Sequence, residues 1–247
     1  MSTPSTHRVF TVPKQGNSPN ENEDRLFIKV RRDRALVALS DGATESALSR
    51  VWADMLVGST WKSTLLGKFT PADHYLAESA VERWLTPLRE QFQEEQVNRD
   101  RPWYSREKLR KGAHATFLAF RMFPSGRWRA ASVGDTCMFQ VVQGNIETGT
   151  MLDASAFGNH PSLVSSDCRA PLPQLTFRKG KHTGNGTKYV FVTDALAVWI
   201  LDHAHQRERL DLLLSCEDDD QFNDLVSQQR ALGNLRNDDT TAIILRC

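Results

Sequence analysis

The sequence predicts an α+β fold in which the strands pair antiparallel instead of alternating with helices. One observation is a run of three strand-like apolar segments, residues 115–122, 128–133 and 138–142, separated only by short turns. Another is a hairpin pattern, in which apolar runs at residues 26–30 and 35–39 flank a short charged turn. Such short turns can join only antiparallel neighbours, because parallel strands need a long crossover connection.

Helices are predicted where apolar residues recur every three to four positions. This spacing predicts helices over residues 46–62 and 71–96 in the first half of the chain, and over 195–203 and 209–232 in the second. Pro87 lies inside the second of these stretches. Because proline removes a helical hydrogen bond and clashes with the preceding turn, we expect it to divide that stretch into two segments.

The remaining segments complete the predicted elements of a chain whose length fits one large domain or two small ones. Residues 8–12 are predicted to form a short first strand, 188–192 a buried strand and 241–245 the last strand. Residues 1–6 are expected to be frayed. Residues 157–186 are polar and rich in proline and glycine, and loops of this length are more often functional than simple connections.

Composition excludes several classes of function. The chain has 247 residues, with 31 Lys plus Arg against 30 Asp plus Glu, so net charge does not favour binding to nucleic acid or to an anionic membrane. No apolar stretch approaches the roughly 18 residues that a membrane span needs, and no signal peptide is evident. The four cysteines form no CxxC pair, which indicates a reducing compartment. We therefore expect a cytoplasmic location. Separately, the chain is expected to be a monomer.

Five aspartates lie at the ends of predicted strands. They are Asp24, Asp41, Asp135, Asp194 and Asp238. If the strands share a sheet, these carboxylates converge and need a compensating positive charge, for which Mg²⁺ or Mn²⁺ is suited. Each aspartate taken alone has a simpler interpretation, because aspartate favours turns and helix N-caps. Their number supports the metal-binding interpretation.

The order of the motifs adds a resemblance to a known family. The motifs are, in chain order, Asn22-Glu23-Asp24-Arg25, Ser40-Asp41-Gly42-Ala43, Val133-Gly134-Asp135-Thr136, Phe191-Val192-Thr193-Asp194 and Asn237-Asp238-Asp239-Thr240-Thr241. This succession resembles the metal-dependent protein phosphatases of the protein phosphatase 2C family, and compact bacterial members in particular. The resemblance extends from about residue 8 to residue 246.

The resemblance implies a four-layer αββα sandwich of two mainly antiparallel sheets flanked by helices, formed by one domain over residues 1–247. It implies metal binding by Asp24, Asp41, Gly42, Asp135, Asp194 and Asp238. Asp41 would bridge two Mn²⁺ or Mg²⁺ ions, Asp135 would belong to a third, weaker site, and Asp24, Asp41, Asp194 and Asp238 would be the catalytic residues. Residues 157–186 would form a flap facing the substrate.

The implied activity is hydrolysis of phosphoserine or phosphothreonine by a metal-activated water, on a phosphoprotein that a partner kinase could supply. The chain departs from the family pattern at Pro19, where relatives often carry a phosphate-binding arginine. Lys14 and Arg25 are possible substitutes. These departures leave two alternatives open: a phosphatase-like binding or regulatory module with little turnover, and a phosphohydrolase acting on a small molecule.

Overall fold

The computed structural model describes residues 6–60, 77–97, 111–151, 157, 161–182, 184 and 186–247. In chain order these residues form the strands β1 (Thr6–Val12), β2 (Arg25–Arg31), β3 (Arg34–Ser40), β4 (His114–Ala115), β5 (Phe117–Met122), β6 (Arg127–Val133), β7 (Cys137–Val142), β8 (Asn145–Gly149), β9 (Val164–Ser165), β10 (Thr176–Lys181), β11 (Lys188–Val192) and β12 (Thr240–Arg246). The α-helices are α1 (Ser49–Ser59), α2 (Glu78–Phe92), α3 (Asp194–Ile200), α4 (Gln206–Ser215) and α5 (Asp219–Ala231).

Two five-stranded sheets form the centre of the molecule. The first has the order β1-β12-β11-β7-β8 and the second the order β10-β6-β5-β3-β2, while β4 and β9 form a small separate pair. All of these neighbours pair antiparallel. The predicted α+β class is therefore confirmed.

Three hydrophobic cores define four layers. Because successive side chains of a strand point to opposite faces, Phe120 and Phe191 fill a core between the sheets, while Phe117 and Phe139 point outward. Phe117 packs with α1 and α2 on the second sheet, and Phe139 packs with α3, α4 and α5 on the first. The αββα sandwich implied by the motif order is confirmed. Among the described residues, no helix is long and apolar enough to span a bilayer.

Pro87 does not divide its helix. Helix α2 runs unbroken past it, and a π-helical turn, Gln93–Val97, follows. Pro87 lies on the exposed side of α2, so the carbonyl group deprived of its partner can bond to water. On the opposite side Trp84 and Phe92 are buried, and this packing outweighs the local cost of proline. The predicted part at residues 71–76 lies outside the described residues.

Three other predictions also need correction. The helix predicted over 209–232 is two helices, because Asp218 caps a new one by accepting a hydrogen bond from the Gln221 N–H at 2.9 Å. The segment 157–186 is not a continuous loop, since it contains the paired strands β9 and β10. Thr6, expected to be frayed, pairs with Arg246 in the first sheet; residues 1–5 lie outside the described residues.

Strands β8 and β10 were not predicted because both are polar edge strands. An edge strand pairs through its backbone on one side only, so its side chains do not need the apolar alternation that reveals a buried strand. In β10 the backbone of Gly180 approaches the indole of Trp128 so closely that a Cβ at this position would lie 2.5 Å from the ring. The fold therefore requires glycine here.

We expect Gly180→Ala to destabilise the protein by about 1–3 kcal/mol, the usual range for overpacking a filled core. Gly58→Ala is the matched control, because Gly58 lies in α1 with open space around it. That change should stabilise the helix by about 0.5–1 kcal/mol. Denaturant unfolding of both variants measures the two effects, and equal unfolding midpoints would contradict the contact between Gly180 and Trp128.

Candidate metal centre

The end of β3 carries Asp41 and Gly42 to one edge of the second sheet. The backbone N–H of Asp41 donates to Thr116 Oγ1 at 2.9 Å, and its carbonyl accepts from the Thr116 N–H at 2.8 Å. Gly42 bridges to Ala115 and is buried. A Cβ on Gly42 would lie 3.0 Å from Ser49 at the start of α1. These contacts hold the Asp41 backbone against β5 and α1.

Asp194 is the first residue of α3 and follows β11. Its Oδ1 accepts from the adjacent Ala195 N–H at 2.5 Å. The preceding Thr193 hydroxyl donates to Asp24 Oδ2 at 3.2 Å and accepts from the Thr241 N–H at 3.0 Å. Thr193 therefore links Asp24 to the last strand of the first sheet.

The other carboxylate oxygen of Asp24 has no hydrogen-bond partner within the described part of the chain. Asp24 is buried, with 5% of its surface exposed, and its Oδ1 is fully enclosed. A buried polar atom without a partner loses its hydration without compensation. Asp24 Oδ1 is thus an acceptor still available to a cation or to water.

The pair Asp238-Asp239 divides into two roles. Asp238 projects into the site, and its Oδ2 lies 3.2 Å from the guanidinium of Arg236. Asp239 is buried and accepts from the backbone N–H groups of Lys14 and Glu23, each at 2.7 Å. Asp239 therefore joins the loop before β2 to the start of β12, a structural role that the motif alone did not reveal.

Asp135 follows β6 after Gly134, whose φ of +89° belongs to the left-handed region that glycine favours. This turn brings the carboxylate back toward the end of β3. Asp135 is buried, with 6% of its surface exposed.

One cavity of about 380 Å³ brings most of the predicted site residues together. It is lined by Asp41, Gly42, Asp135, Asp194 and Asp238, together with Ala43, Thr44, Glu45, Thr116, Pro161, Leu163 and Arg236. Asp24 lies behind this cavity, close enough for its charge to act on Asp41. The five predicted strand ends, contributed by both sheets, therefore meet at one end of the sandwich.

The carboxylates raise one another's pKa. Burial raises the pKa of Asp41 well above its usual value, and the charges of Asp24 and Asp194 raise it further. Burial, with smaller effects from neighbouring carboxylates, raises the pKa of Asp24 to about 8 and that of Asp135 to about 6. The pKa of Asp194 is also raised, mainly by burial. The site has an excess of negative charge.

Arg236 supplies part of the missing positive charge, and the sequence motifs did not identify it. Its guanidinium donates to Asp194 Oδ2 and lies 3.2 Å from Asp238 Oδ2. Burial lowers the pKa of Arg236, but the charges of Asp194 and Asp238 outweigh this effect and raise it. The sequence offered one signal for this role. Arg236 lies two residues before Asp238, in a loop that contains no other Lys or Arg.

Arg25 and Lys14, the two cations considered from the sequence, are not among the described residues that line the cavity. Arg25 donates to the carbonyl of Asp24, and the backbone N–H of Lys14 donates to Asp239. Pro19 lies in a short 3₁₀ turn, Pro19–Glu21, on the surface.

The donor set fits a hard divalent cation. The cavity offers carboxylate oxygens with neither sulfur nor imidazole among its lining residues, and such oxygens suit Mg²⁺ and Mn²⁺. The enclosed Oδ1 of Asp24 and the raised pKa values both indicate a need for positive charge. Across the described residues, no three His, Cys, Asp or Glu side chains are already arranged around one point, and Arg236 holds two of the carboxylates.

The chain is similar in structure to the serine/threonine phosphatase Stp1 from Staphylococcus aureus, with 18% identity, a TM-score of 0.62, and coverage of 100% of this chain and 97% of that one. A serine/threonine phosphatase of S. agalactiae gives 17% identity and a TM-score of 0.61, with 98% and 99% covered. RsbX in complex with magnesium gives 14% identity and 0.51, with 98% and 95% covered.

These similarities show the fold. Comparison with curated protein sequences found no significant match. The family model for protein phosphatase 2C matches residues 15–233, which is most of the chain. The chain therefore belongs to the protein phosphatase 2C family and is by class a phosphatase, a hydrolase.

Proposed function

We propose that this chain is a metal-dependent serine/threonine phosphatase that hydrolyses phosphoserine and phosphothreonine in proteins. The observation that carries the proposal is a cluster of four carboxylates around one cavity, those of Asp41, Asp135, Asp194 and Asp238. The raised pKa values of Asp41, Asp135 and Asp194 reflect a shortage of positive charge that bound cations would relieve. Family membership supports the same reaction class.

In this proposal Asp41, Asp194 and Asp238 hold two divalent ions, Mn²⁺ or Mg²⁺. Asp24 and the Gly42 carbonyl help to hold this centre, and Asp135 belongs to a third, weaker site. When bound, such ions supply Lewis acidity for attack by water and positive charge for the phosphoryl oxygens. The residues of the chain orient these ligands, through Thr116 at Asp41 and through Thr193 at Asp24.

A second cavity supports a peptide substrate. It has a volume of about 630 Å³ and shares Asp135, Pro161 and Leu163 with the first cavity. Its other walls include Thr150 and residues 171–174. Residues 171–174 belong to the segment 157–186, which is expected to face the substrate. A groove of this size beside the carboxylates can accept residues that flank a phosphorylated side chain.

Arg236 is our candidate for the phosphate-binding residue in place of the arginine missing at position 19. It lines the carboxylate cavity, and its side chain is 59% exposed while that of Asp194 is 11% exposed. The guanidinium thus reaches Asp194 from the solvent side. Arginine binds phosphate through paired donors, and Arg236 competes with divalent cations for Asp194 and Asp238.

This competition also favours a second candidate, a phosphatase-like binding module with little turnover. If Arg236 stays on Asp194 and Asp238, it neutralises two of the carboxylates that divalent ions need. The two candidates differ in one measurable property, because the module would bind ligands without releasing phosphate.

We expect the purified chain to hydrolyse an aryl phosphate and a phosphothreonine peptide only with Mn²⁺ or Mg²⁺ present. Asp41→Asn and Asp194→Asn should each lower kcat more than about 100-fold, since loss of even an outer-shell partner of a metal site costs about 10–100-fold. Asp224→Asn, on the exposed side of α5, is the control and should retain full activity. Activity that persists in a chelator would overturn the proposal, and metal binding without phosphate release would favour the module.

Metal should stabilise the fold more strongly at pH 8 than at pH 6. The folded-state pKa of Asp24 is about 8 and that of Asp135 about 6, against an ordinary value of 3.8 for an aspartate carboxyl. The folded state therefore binds the extra protons, and this stabilisation is lost as pH rises from about 4 through 8. Cations replace those protons, and ligand at about 100 times its Kd adds roughly 2.7 kcal/mol.

Thermal unfolding with Mn²⁺ and with chelator, at both pH values, measures this difference. Comparing the two conditions at each pH cancels the titration of groups remote from the site. A shift in Tm that is equal at pH 6 and pH 8 would contradict proton competition at these carboxylates.

Arg236→Ala should weaken phosphate binding and strengthen metal binding. We expect a 10- to 100-fold loss in kcat/KM, because hydrogen bonds to charged groups contribute about 1.5–3 kcal/mol. Calorimetry should show a lower Kd for Mn²⁺, since a competitor for Asp194 and Asp238 is removed. Arg236→Lys should restore only part of the phosphate binding. A variant with unchanged kcat/KM would exclude Arg236 as the phosphate-binding residue.

A further inference from the structure

The outer face of the second sheet carries a concentration of positive charge at the end remote from the carboxylates. We call this surface the basic face and define it by six exposed cations: Arg31, Arg34, Arg121, Arg127, Lys179 and Lys181. Every strand of the sheet contributes at least one of them. Their strand neighbours, such as Val30 and Phe120, point into the core between the sheets, so the cations share the opposite face.

Cations lie directly opposite one another in this sheet. Arg31 pairs with Arg34 across β2 and β3, and Arg127 pairs with Lys181 across β6 and β10. In addition Arg121 faces Arg129. Like charges placed opposite each other in neighbouring strands destabilise a sheet. Stability alone therefore does not explain this arrangement, whereas an anionic ligand would compensate it.

The basic face has an ordered centre. The guanidinium groups of Arg121 and Arg129 both lie against the ring of Phe123, at 5.1 and 5.3 Å from its centroid. A cation–π contact of this kind contributes about 0.5–1 kcal/mol at an exposed site and leaves the positive charge of Arg121 in place. The ring of Phe123 thus favours this arrangement of the two guanidinium groups before any ligand binds.

A cavity with an apolar part lies among the cations. It has a volume of about 230 Å³, and its apolar part is formed by Ala35, Leu36, Met122, Phe123 and Pro124, while Thr60 and the cations Lys29, Arg31, Arg34 and Arg121 line the rest. A cationic rim around an apolar floor suits a ligand that presents one apolar group between negative charges. A flat anionic surface has no group to fill such a cavity.

The charge of the basic face is local. The chain as a whole has a formal net charge of only +1, so six cations on half of one sheet produce a positive field confined to that region. Asp33, in the turn between β2 and β3, lies 3.1 Å from Arg34. Both side chains of this pair are substantially exposed, and exposed pairs of this kind contribute little.

The size of the basic face matches an extended peptide. Five strands about 4.8 Å apart span roughly 19 Å, which is the length of about six extended residues. Arg34 of the basic face lies roughly 23 Å from Asp41, since β3 separates the two residues by seven positions at roughly 3.3 Å each. A ligand held there leaves the carboxylate cavity open.

We propose that the basic face binds an acidic peptide segment that carries one apolar side chain for the cavity, and that this segment belongs to the phosphoprotein substrate. The assignment to the substrate rests on the proposed phosphatase function. The binding itself depends only on the charges, the cavity and the spacing of the strands.

The first experiment measures binding to the full-length chain by fluorescence anisotropy at low ionic strength. The probe is a labelled, unphosphorylated peptide of alternating Asp and Glu with one central Leu. We expect saturable binding that weakens with salt and that weakens when the central Leu is replaced by Ala. No binding, or binding indifferent to the central Leu, would overturn the proposal.

The variant Arg121→Gln/Lys179→Gln should weaken binding about tenfold, which corresponds to about 1.4 kcal/mol. Lys111→Gln/Arg207→Gln is the matched control with the same change of net charge at exposed positions elsewhere, and should alter the Kd less than about twofold. The Arg121→Gln/Lys179→Gln variant should unfold at or above the temperature of the unmodified chain, because repulsion on the basic face is relieved. An equal effect of the two variants on binding would contradict a localised site.

Three further probes identify the occupant and separate this proposal from the phosphatase proposal. Tighter binding to a DNA duplex or to vesicles rich in phosphatidylserine than to the peptide would overturn the assignment to a peptide. Joining the acidic segment to a phosphothreonine peptide should lower KM without changing kcat, and the Arg121→Gln/Lys179→Gln variant should lose this advantage. Hydrolysis of an aryl phosphate should be unchanged in that variant, so failure of docking and failure of catalysis give different results.

Discussion

The mutual repulsion of buried carboxylates is the constraint on which the site depends. Asp24, Asp41, Asp135 and Asp194 all have a raised pKa, because each is buried and close to other negative charges. A fold does not hold such groups together without compensation. Arg236 provides one part of it, and the chemistry of the oxygen donors suits divalent cations for the rest. Metal binding, the stability of the fold and its dependence on pH are therefore coupled at this site.

The surrounding network explains how a repulsive cluster is held in position. Thr193 ties Asp24 to β12, Thr116 holds the backbone of Asp41, and Asp239 gathers two backbone N–H groups from the loop before β2. These bonds join both sheets at the same end of the sandwich. Changes in the network should thus act on the metal centre even where the altered residue does not reach the cavity.

The two ends of the second sheet carry opposite charge. At one end the carboxylates surround the cavity, and at the other the basic face exposes cations around an apolar depression. In both places like charges lie closer together than stability favours, which makes each a candidate for a ligand of the opposite sign. On the proposed function, one end would bind metal and phosphate, and the other would hold the acidic part of the same substrate.

The sequence by itself determined the order of the strand-end aspartates, the antiparallel strand class and most of the buried strands, because apolar alternation and turn residues are local signals. The sandwich followed from the resemblance of the ordered motifs, and the structure confirmed it. The continuity of α2 past Pro87 and the edge strands β8 and β10 depended on packing and backbone pairing that leave no local pattern. Only the tertiary structure brought Arg236 to Asp194 and aligned the cations of five strands, because both result from contacts between residues distant in the chain.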